Sequence, residues 1–336
     1  MIVAVTGATG EVGRPFVSAL ERDTRVERVV TLGRRAFDPT AEGWSKVEYR
    51  RGDVLDRGAV EKLVAGADVV AHLAFVIVAG GGRSREVNLA GSRNVFEAAA
   101  AAGATRLVYT SSVAAYGFHA DSPELLTEEV PVRGTERHPY SAQKAEVEAL
   151  LEESLAGSDT GAYVFRPCIV AGPKAPALIE AIPLAGLGSR LPGVARGMLG
   201  RLAALRPVLP DPGVPFQLVH HDDVAAALAA AVRGEGEPGA YNLAGEGQIT
   251  VSALAHELGW HAVPILSAAV SAAAVVARAP FLPDEAAWVE AVRRPVLMDA
   301  SRARQVLGWR PRYDAGETLR ETVAAWRRRG GIAGRG

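Results

Sequence analysis

The sequence predicts an α/β protein, a doubly wound parallel sheet with a smaller C-terminal lobe. Short β-branched runs alternate with Ala- and Glu-rich amphipathic stretches through the first half of the chain, and the β runs are almost continuously apolar. Strands of that kind are covered by helices on both faces. Strand and helix in repeated alternation then make a parallel sheet.

In chain order, Val3–Val5, Arg28–Leu32, Val47–Arg50, Val69–His72 and Arg106–Thr110 read as strands. Between and after them, Gly13–Arg22, Ala59–Ala65, Asn88–Ala102 and Tyr140–Ala156 carry helical patterns. Ala162–Arg166 supplies a sixth strand and Tyr241–Leu243 a seventh. After Arg166 the character changes. From Pro167 to Pro215 the chain is rich in Pro, Gly and Leu without strict periodicity, before a strand-like Phe216–Val219 and a helix over Asp222–Val232. Residues 244–296 are again apolar and helical. The expected division is a first domain over 1–166, completed by about 216–243. A substrate lobe takes 167–215 and 244–296, and a C-terminal helical segment takes 297–336.

Composition narrows the class. Of 336 residues, 49% are hydrophobic and 22% charged, ordinary for a globular chain. Net charge is −1, from 37 basic and 38 acidic residues, which argues against a nucleic-acid partner. The Arg327–Arg329 run reads as a solvated helix end. Cys168 is the one cysteine, so no intrachain disulfide forms, which suits a reducing, cytoplasmic setting. The chain opens on an apolar strand without a signal-type segment before it. The most apolar long stretch, Ile265–Leu282, carries Arg278 and is closed by Pro280 and Pro283. A spanning helix needs about 20 apolar residues, so this stretch reads as a buried or lid helix, and no membrane partner is expected.

The first strand runs into Thr6-Gly7-Ala8-Thr9-Gly10-Glu11-Val12-Gly13. Glycines here make a tight turn, let backbone approach a pyrophosphate, and let helix pack on strand. The helix that follows aims its free N–H groups at phosphates. This is the context of a Rossmann dinucleotide site.

The three-and-three glycine spacing resembles the TGxxGxxG motif of the extended short-chain dehydrogenase/reductase family (the epimerase/dehydratase-like branch). The resemblance continues along nearly the whole chain. Gly52-Asp53-Val54 is similar to the family's motif after strand 3, whose aspartate meets the adenine amino group. His72-Leu73-Ala74 is similar to its strand-4 end, which lies against the cofactor. Val87 to Val95 resembles its NVxGTxNV helix, and Asp299 to Pro311 its DxSRAxxxLGWxP close. The resemblance implies a cofactor site formed by Gly7, Gly10, Glu11, Val12, Gly13, Arg34, Arg35, Asp53, Val54, Leu73, Ala74, Asn88, Tyr140, Lys144 and Pro167, and a homodimer paired through helices 88–102 and 140–156, whose alanines permit close packing.

An acid at the end of strand 2 would select NAD by bonding the ribose hydroxyls. Gly33 stands there instead, followed by Arg34 and Arg35. Guanidinium suits a 2′-phosphate, so NADP is favoured over NAD.

Tyr140-Ser141-Ala142-Gln143-Lys144 puts Tyr and Lys on one helix face, in a chain with only four lysines. A phenol's ordinary pKa of about 10 is too high for acid–base work near neutrality. A nearby ammonium lowers it. Tyr140 is thus the expected acid/base, with Lys144 its partner and the holder of the nicotinamide ribose. Ser111 and Ser112 both follow the fifth strand, where ligands sit in open α/β sheets. The family resemblance selects Ser112, whose hydroxyl would orient the reacting oxygen.

Asn88 is expected either to anchor a proton relay or to cap a helix. His220, His221, Asp222 and Asp223 are expected to be structural, with no metal. Arg166-Pro167 reads as a link from strand to lobe. Tyr116 either lines the substrate pocket or packs in the core. The family's dehydratases carry an acid pair where Val113 and Ala114 stand, which disfavours dehydration. Its nucleotide-sugar enzymes often carry an asparagine where Ile169 stands, and Ile169 cannot make that hydrogen bond. The expected activity is therefore hydride transfer between nicotinamide and a carbonyl/alcohol carbon of a small, fairly apolar substrate contacting Ser112, Tyr116 and Ile169. The alternatives are a nucleotide-sugar 4-epimerase with tightly bound NAD, and a non-catalytic dinucleotide sensor.

Overall fold

The computed structural model describes residues 1–77, 82–136, 138–182, 207–265 and 295–330. Seven parallel strands form the main sheet: β1 (Ile2–Thr6), β2 (Arg28–Gly33), β3 (Val47–Arg51), β4 (Val69–His72), β5 (Arg106–Thr110), β7 (Gly161–Pro167) and β11 (Gly239–Leu243). Their spatial order is β11-β7-β5-β4-β1-β2-β3. The order reverses at β1, and such a switch point opens the crevice that doubly wound sheets use for ligands.

Both faces of the sheet are buried, as its apolar strands require. Successive residues of β1 divide between two cores. Val3 and Val5 join Phe16, Val17 and Leu20 of α1 (Gly13–Arg22) and Val224, Leu228 and Val232 of α6 (His221–Val232). Ala4 joins the other face, with α2 (Arg57–Val64), α3 (Gly82–Ala101) and α4 (Pro139–Leu155) supplying Leu63, Phe96 and Val147 among others. Helix starts follow local chemistry. The Asp56 side chain caps α2 by accepting from the Ala59 amide, and Pro139 occupies the first turn of α4 behind His138.

A third apolar cluster joins α5 (Ala177–Glu180), α7 (Val251–Leu258) and α9 (Ala315–Arg328) through Ile179, Leu254, Leu258, Leu319 and Trp326. Helix α9 opens on a capping box between Asp314 and Glu317. The C-terminal segment is thus packed onto the described part of the lobe. Its last turn is anchored: Arg327 donates to the Glu257 carbonyl and Arg329 to the Pro173 carbonyl, each at 2.6 Å. Arg327, Arg328 and Arg329 are all exposed, so the run is the solvated helix end read from sequence, with two of its guanidiniums also reaching surface carbonyls.

Three two-stranded parallel ladders lie outside the sheet. They are β8 (Ile169–Ala171) with β10 (Leu218–His220), β9 (Val208–Asp211) with β12 (His261–Pro264), and β6 (Leu125–Leu126) with β13 (Leu297–Met298). The strand expected at Phe216–Val219 begins at Leu218, and it pairs with β8 rather than with the sheet. Helix α3 begins at Gly82, so Asn88 lies inside it and is not its cap. Ala98 and Ala99 of α3 are buried within the chain's own core. The Arg85–Glu146 and Arg93–Glu153 ion pairs bridge α3 and α4.

Among the described residues no helix is long and apolar enough to cross a membrane. Residues 183–206 and 266–294 of the expected lobe, with nearly all of the stretch Ile265–Leu282, lie outside the described residues.

Candidate active site

The glycine turn closes tightly on its neighbours. Gly7 has φ +77°, and a Cβ there would stand 2.6 Å from the Ala74 nitrogen. A Cβ on Gly13 would stand 2.0 Å from the Gly7 carbonyl oxygen. Any side chain at either position would force the turn apart. Val12, at the start of α1, gives the helix no side-chain cap; in the first turn the Arg14 N–H bonds the Gly10 carbonyl at 3.0 Å and Pro15 has no N–H, which leaves the Gly13 N–H without a side-chain acceptor. Burial pushes the Glu11 carboxyl up to about 7, and Glu180 adds to the shift while the Ala177 amide and Arg329 oppose it. Near neutrality Glu11 is then only about half charged, which weakens its repulsion of an anion at the turn.

Around this turn lie the other residues expected at a dinucleotide. Leu73 and Ala74 close over Gly7. Asp53 accepts from the Leu55 amide at 3.1 Å. Val54 is buried beneath Gly91, where a Cβ would come within 2.6 Å of it. Pro167 ends β7 against Leu243 of β11. At the end of β2, a Cβ on Gly33 would meet the Tyr49 hydroxyl at 2.3 Å, and that hydroxyl donates to the Arg35 carbonyl at 2.5 Å. The place of a ribose-binding acid is therefore filled by a tyrosine ring. Arg34 and Arg35 are exposed, and among the described residues neither forms an ion pair.

Ser112, Tyr140 and Lys144 come together at the C-terminal edge of β5. Ser112 caps the short 3-10 helix Val113–Tyr116, and its hydroxyl is hydrogen-bonded with the Tyr140 phenol. Ser111 points elsewhere, donating to Glu148 Oε1 at 2.5 Å. The choice between the two serines, made from the resemblance, has this geometric counterpart. Burial pushes the Tyr140 phenol up, and the Ser112 bond acts the other way. One turn along α4, Lys144 is 3% exposed. Its Nζ donates to the Thr110 carbonyl at 2.8 Å and the Tyr109 hydroxyl at 3.4 Å, and lies 3.7 Å from the centre of the Phe75 ring. Burial draws Lys144 down to about 7, with Glu148 acting to raise it.

His72 supports the floor. The Ser92 hydroxyl donates to the Asn88 carbonyl at 2.5 Å, so its oxygen receives His72 Nε2–H at 2.9 Å. That leaves His72 Nδ1 to accept from Thr6 at 2.7 Å. Burial drops its pKa to about 3, helped by Lys144, and keeps the ring neutral. The Asn88 amide bonds both the N–H and the C=O of Val76 and donates to Gln143 Oε1 at 2.7 Å. It fastens the segment after β4 to α4.

Several residues named from sequence stand apart. Tyr116 is 1% exposed, and its hydroxyl is held between Asn242 at 2.7 Å and Arg166 at 2.9 Å. Core packing, not pocket lining, is its place. Arg166 is paired with Glu148 at 2.7 Å inside the protein. Ile169 is 38% exposed on β8. His220 Nδ1 accepts from the Asp222 amide and His221 Nε2 from the Lys174 amide. Their other nitrogens face Glu321 at 3.3 Å and Asp222 at 3.0 Å. Both rings thus spend their lone pairs on backbone. Asp223 receives the Arg312 and Tyr313 amides and fastens the C-terminal segment. Sequence reading missed Phe75, Tyr109 and Gln143. An aromatic after an apolar strand reads as core, and Gln143 as a spacer between Tyr and Lys.

A cavity of about 340 Å³ lies between the β6–β13 ladder and the loop after β11, lined by Leu125, Gln217, Met298, Asp299 and Arg304 among others. None of the three clustered side chains lines it.

The profile of the NAD dependent epimerase/dehydratase family matches residues 3–244. The ceramide reductase of Caulobacter vibrioides is 33% identical over 240 residues, covering 69% of this chain and 61% of that protein. Human 3 beta-hydroxysteroid dehydrogenase type 7 is 33% identical over 169 residues, covering 46% and 44%. The crystal structure of UDP-glucose 4-epimerase from Thermotoga maritima superposes with a TM-score of 0.71 at 20% identity, covering 98% of this chain and 99% of that one. The chain spans 31% of the length of mycobacterial relatives that it matches end to end at 28% identity.

Proposed function

The chain belongs to the NAD dependent epimerase/dehydratase family, and on that premise we propose that it is an oxidoreductase interconverting a carbonyl and an alcohol on a small, fairly apolar substrate, with NADP preferred over NAD. The observation that carries this reading is the clustering of Ser112 and Tyr140, close enough for the Ser112 hydroxyl to lower the phenol's pKa, with the buried Lys144 ammonium one helical turn away. The uncapped turn at Gly7–Gly13 and the two free guanidiniums at Arg34 and Arg35 fit a dinucleotide phosphate chain and a 2′-phosphate. When bound, the cofactor supplies or takes the hydride.

The chain's own residues handle the oxygen and its proton. Ser112 donates a hydrogen bond to the reacting oxygen and holds it beside Tyr140. In reduction Tyr140 Oη gives that oxygen its proton, and in oxidation it takes the proton back. Lys144 stabilises the phenolate form by charge. The likeness to a ceramide reductase and a hydroxysteroid dehydrogenase favours an apolar substrate over a nucleotide sugar.

The deciding test denatures the purified protein and identifies any nucleotide released. An empty protein that then turns over an apolar ketone with NADPH supports the reading. Stoichiometric NAD, with activity on a nucleotide sugar and no net cofactor turnover, replaces it with an epimerase. A second measurement isolates the cofactor preference. Arg34→Ala/Arg35→Ala should weaken NADPH affinity by roughly 10–100-fold, as expected for lost charged hydrogen bonds, and leave NADH nearly unchanged. Equal losses for both cofactors, in a fluorescence titration, would show that the arginines do not read a 2′-phosphate.

A further inference from the structure

We propose that Phe75 is a positioning residue for Lys144, its ring face receiving the ammonium while its perpendicular contact with Tyr140 holds the two reacting side chains in register. The Lys144 ammonium has three N–H donors. Thr110 takes one at 2.8 Å and Tyr109 another at 3.4 Å, and the Phe75 ring centre lies 3.7 Å away, where the third donor meets a π face. The same ring packs against Tyr140 at 5.6 Å between centroids and 89° between planes. Phe75 therefore contacts both members of the pair from outside their helix.

A buried ammonium meeting a π face is stabilised more than an exposed one, because water no longer competes. The groups facing Lys144 are Tyr140 and Glu148 on α4, Tyr109 on β5 and His72 on β4. Of these, His72 is held neutral, and Glu148 is already paired with Arg166. The Phe75 face is thus the near neighbour whose removal most directly reduces the preference for the charged amine. Burial, opposed by Glu148, already draws Lys144 down to about 7, so loss of the ring shifts it further toward the neutral form at physiological pH.

The inference rests on the proposed function only for what Lys144 does in turnover, and its test needs no substrate. The chain has four lysines, Lys46, Lys62, Lys144 and Lys174, so 15N-lysine NMR gives a small set of Nζ signals, with Lys144→Arg identifying the one sought. Phe75→Leu and Phe75→Met should each lower the Lys144 titration midpoint by about one pH unit, a tenfold shift toward the amine. Phe75→Tyr, which keeps the π face, should restore it to within a few tenths. A midpoint unchanged in either apolar variant, with the other three lysine signals native, overturns the proposal. So does an equal drop in Phe75→Tyr. If Phe75→Leu does not fold, Phe75→Met decides, because its flexible side chain fills the volume without a ring. An enzyme that lacks oxidoreductase activity yet shows the shift would overturn the functional reading alone.

Discussion

Tyr140→Phe lowers kcat by roughly 10²–10⁴-fold, the ordinary worth of a positioned acid/base, while NADPH affinity stays within a few-fold of the parent. Steady-state kinetics on a substrate found by carbonyl screening, beside a cofactor titration, read the two quantities separately. The substitution is clean because Phe retains the ring that packs perpendicular to Phe75. What it removes is the hydroxyl bonded with Ser112. The pH dependence has a definite sign. Burial raises the Tyr140 phenol, so the protonated acid needed for reduction dominates at neutral pH, and reduction should hold level until the pH reaches the phenol's range. Oxidation needs the phenolate and should climb with pH over the same range. Tyr140→Phe should abolish both limbs. Ser112→Ala combined with Tyr140→Phe should cost little more than Tyr140→Phe alone, since residues acting on one oxygen are not additive. Full turnover by Tyr140→Phe would remove the phenol from the mechanism.

The strands of the doubly wound sheet and the two segments that carry Ser112, Tyr140 and Lys144 were legible because each rests on local pattern. An apolar run between helical stretches fixes a strand buried on both faces, and the three side chains follow from two short segments at strand ends. What escaped was set by contacts distant in sequence. Nothing around Tyr116 distinguishes a pocket residue from a core one until Asn242, 126 positions away, accepts its hydroxyl. Asn88 read either as a relay anchor or as a helix cap, because its amide partners, Val76 and Gln143, lie 12 and 55 positions away. Glycine at position 33 suggested a missing acid, but only the structure supplies the reason, a Tyr49 hydroxyl where the side chain would be.

Arg166→Met should destabilise the fold by about 3–5 kcal/mol, because it strands a buried carboxylate. Arg166 and Glu148 are each 8% exposed in their side chains. Arg166 meets the carboxylate from Nε at 3.1 and 3.2 Å and from Nη2 at 2.7 Å, while Nη1 donates to Tyr116. Ser111 completes the shell around Glu148. The energy at stake is the exposed penalty of an unpaired charge, not the net worth of the pair. Arg166→Met/Glu148→Leu should therefore recover most of the loss, although neither partner remains. A pure packing defect would predict the opposite, with the double variant worse than the single. Denaturant melts at several pH values separate the two accounts. A carboxylate stranded without its guanidinium takes up a proton more readily, so the folded single variant binds that proton at a higher pH than the unfolded chain does. Its deficit against the parent should then be full near neutrality and shrink as the pH falls toward the ordinary carboxylate range. A deficit independent of pH would mean that lost volume, rather than lost charge pairing, is what Arg166 contributes beneath the Ser112, Tyr140 and Lys144 cluster.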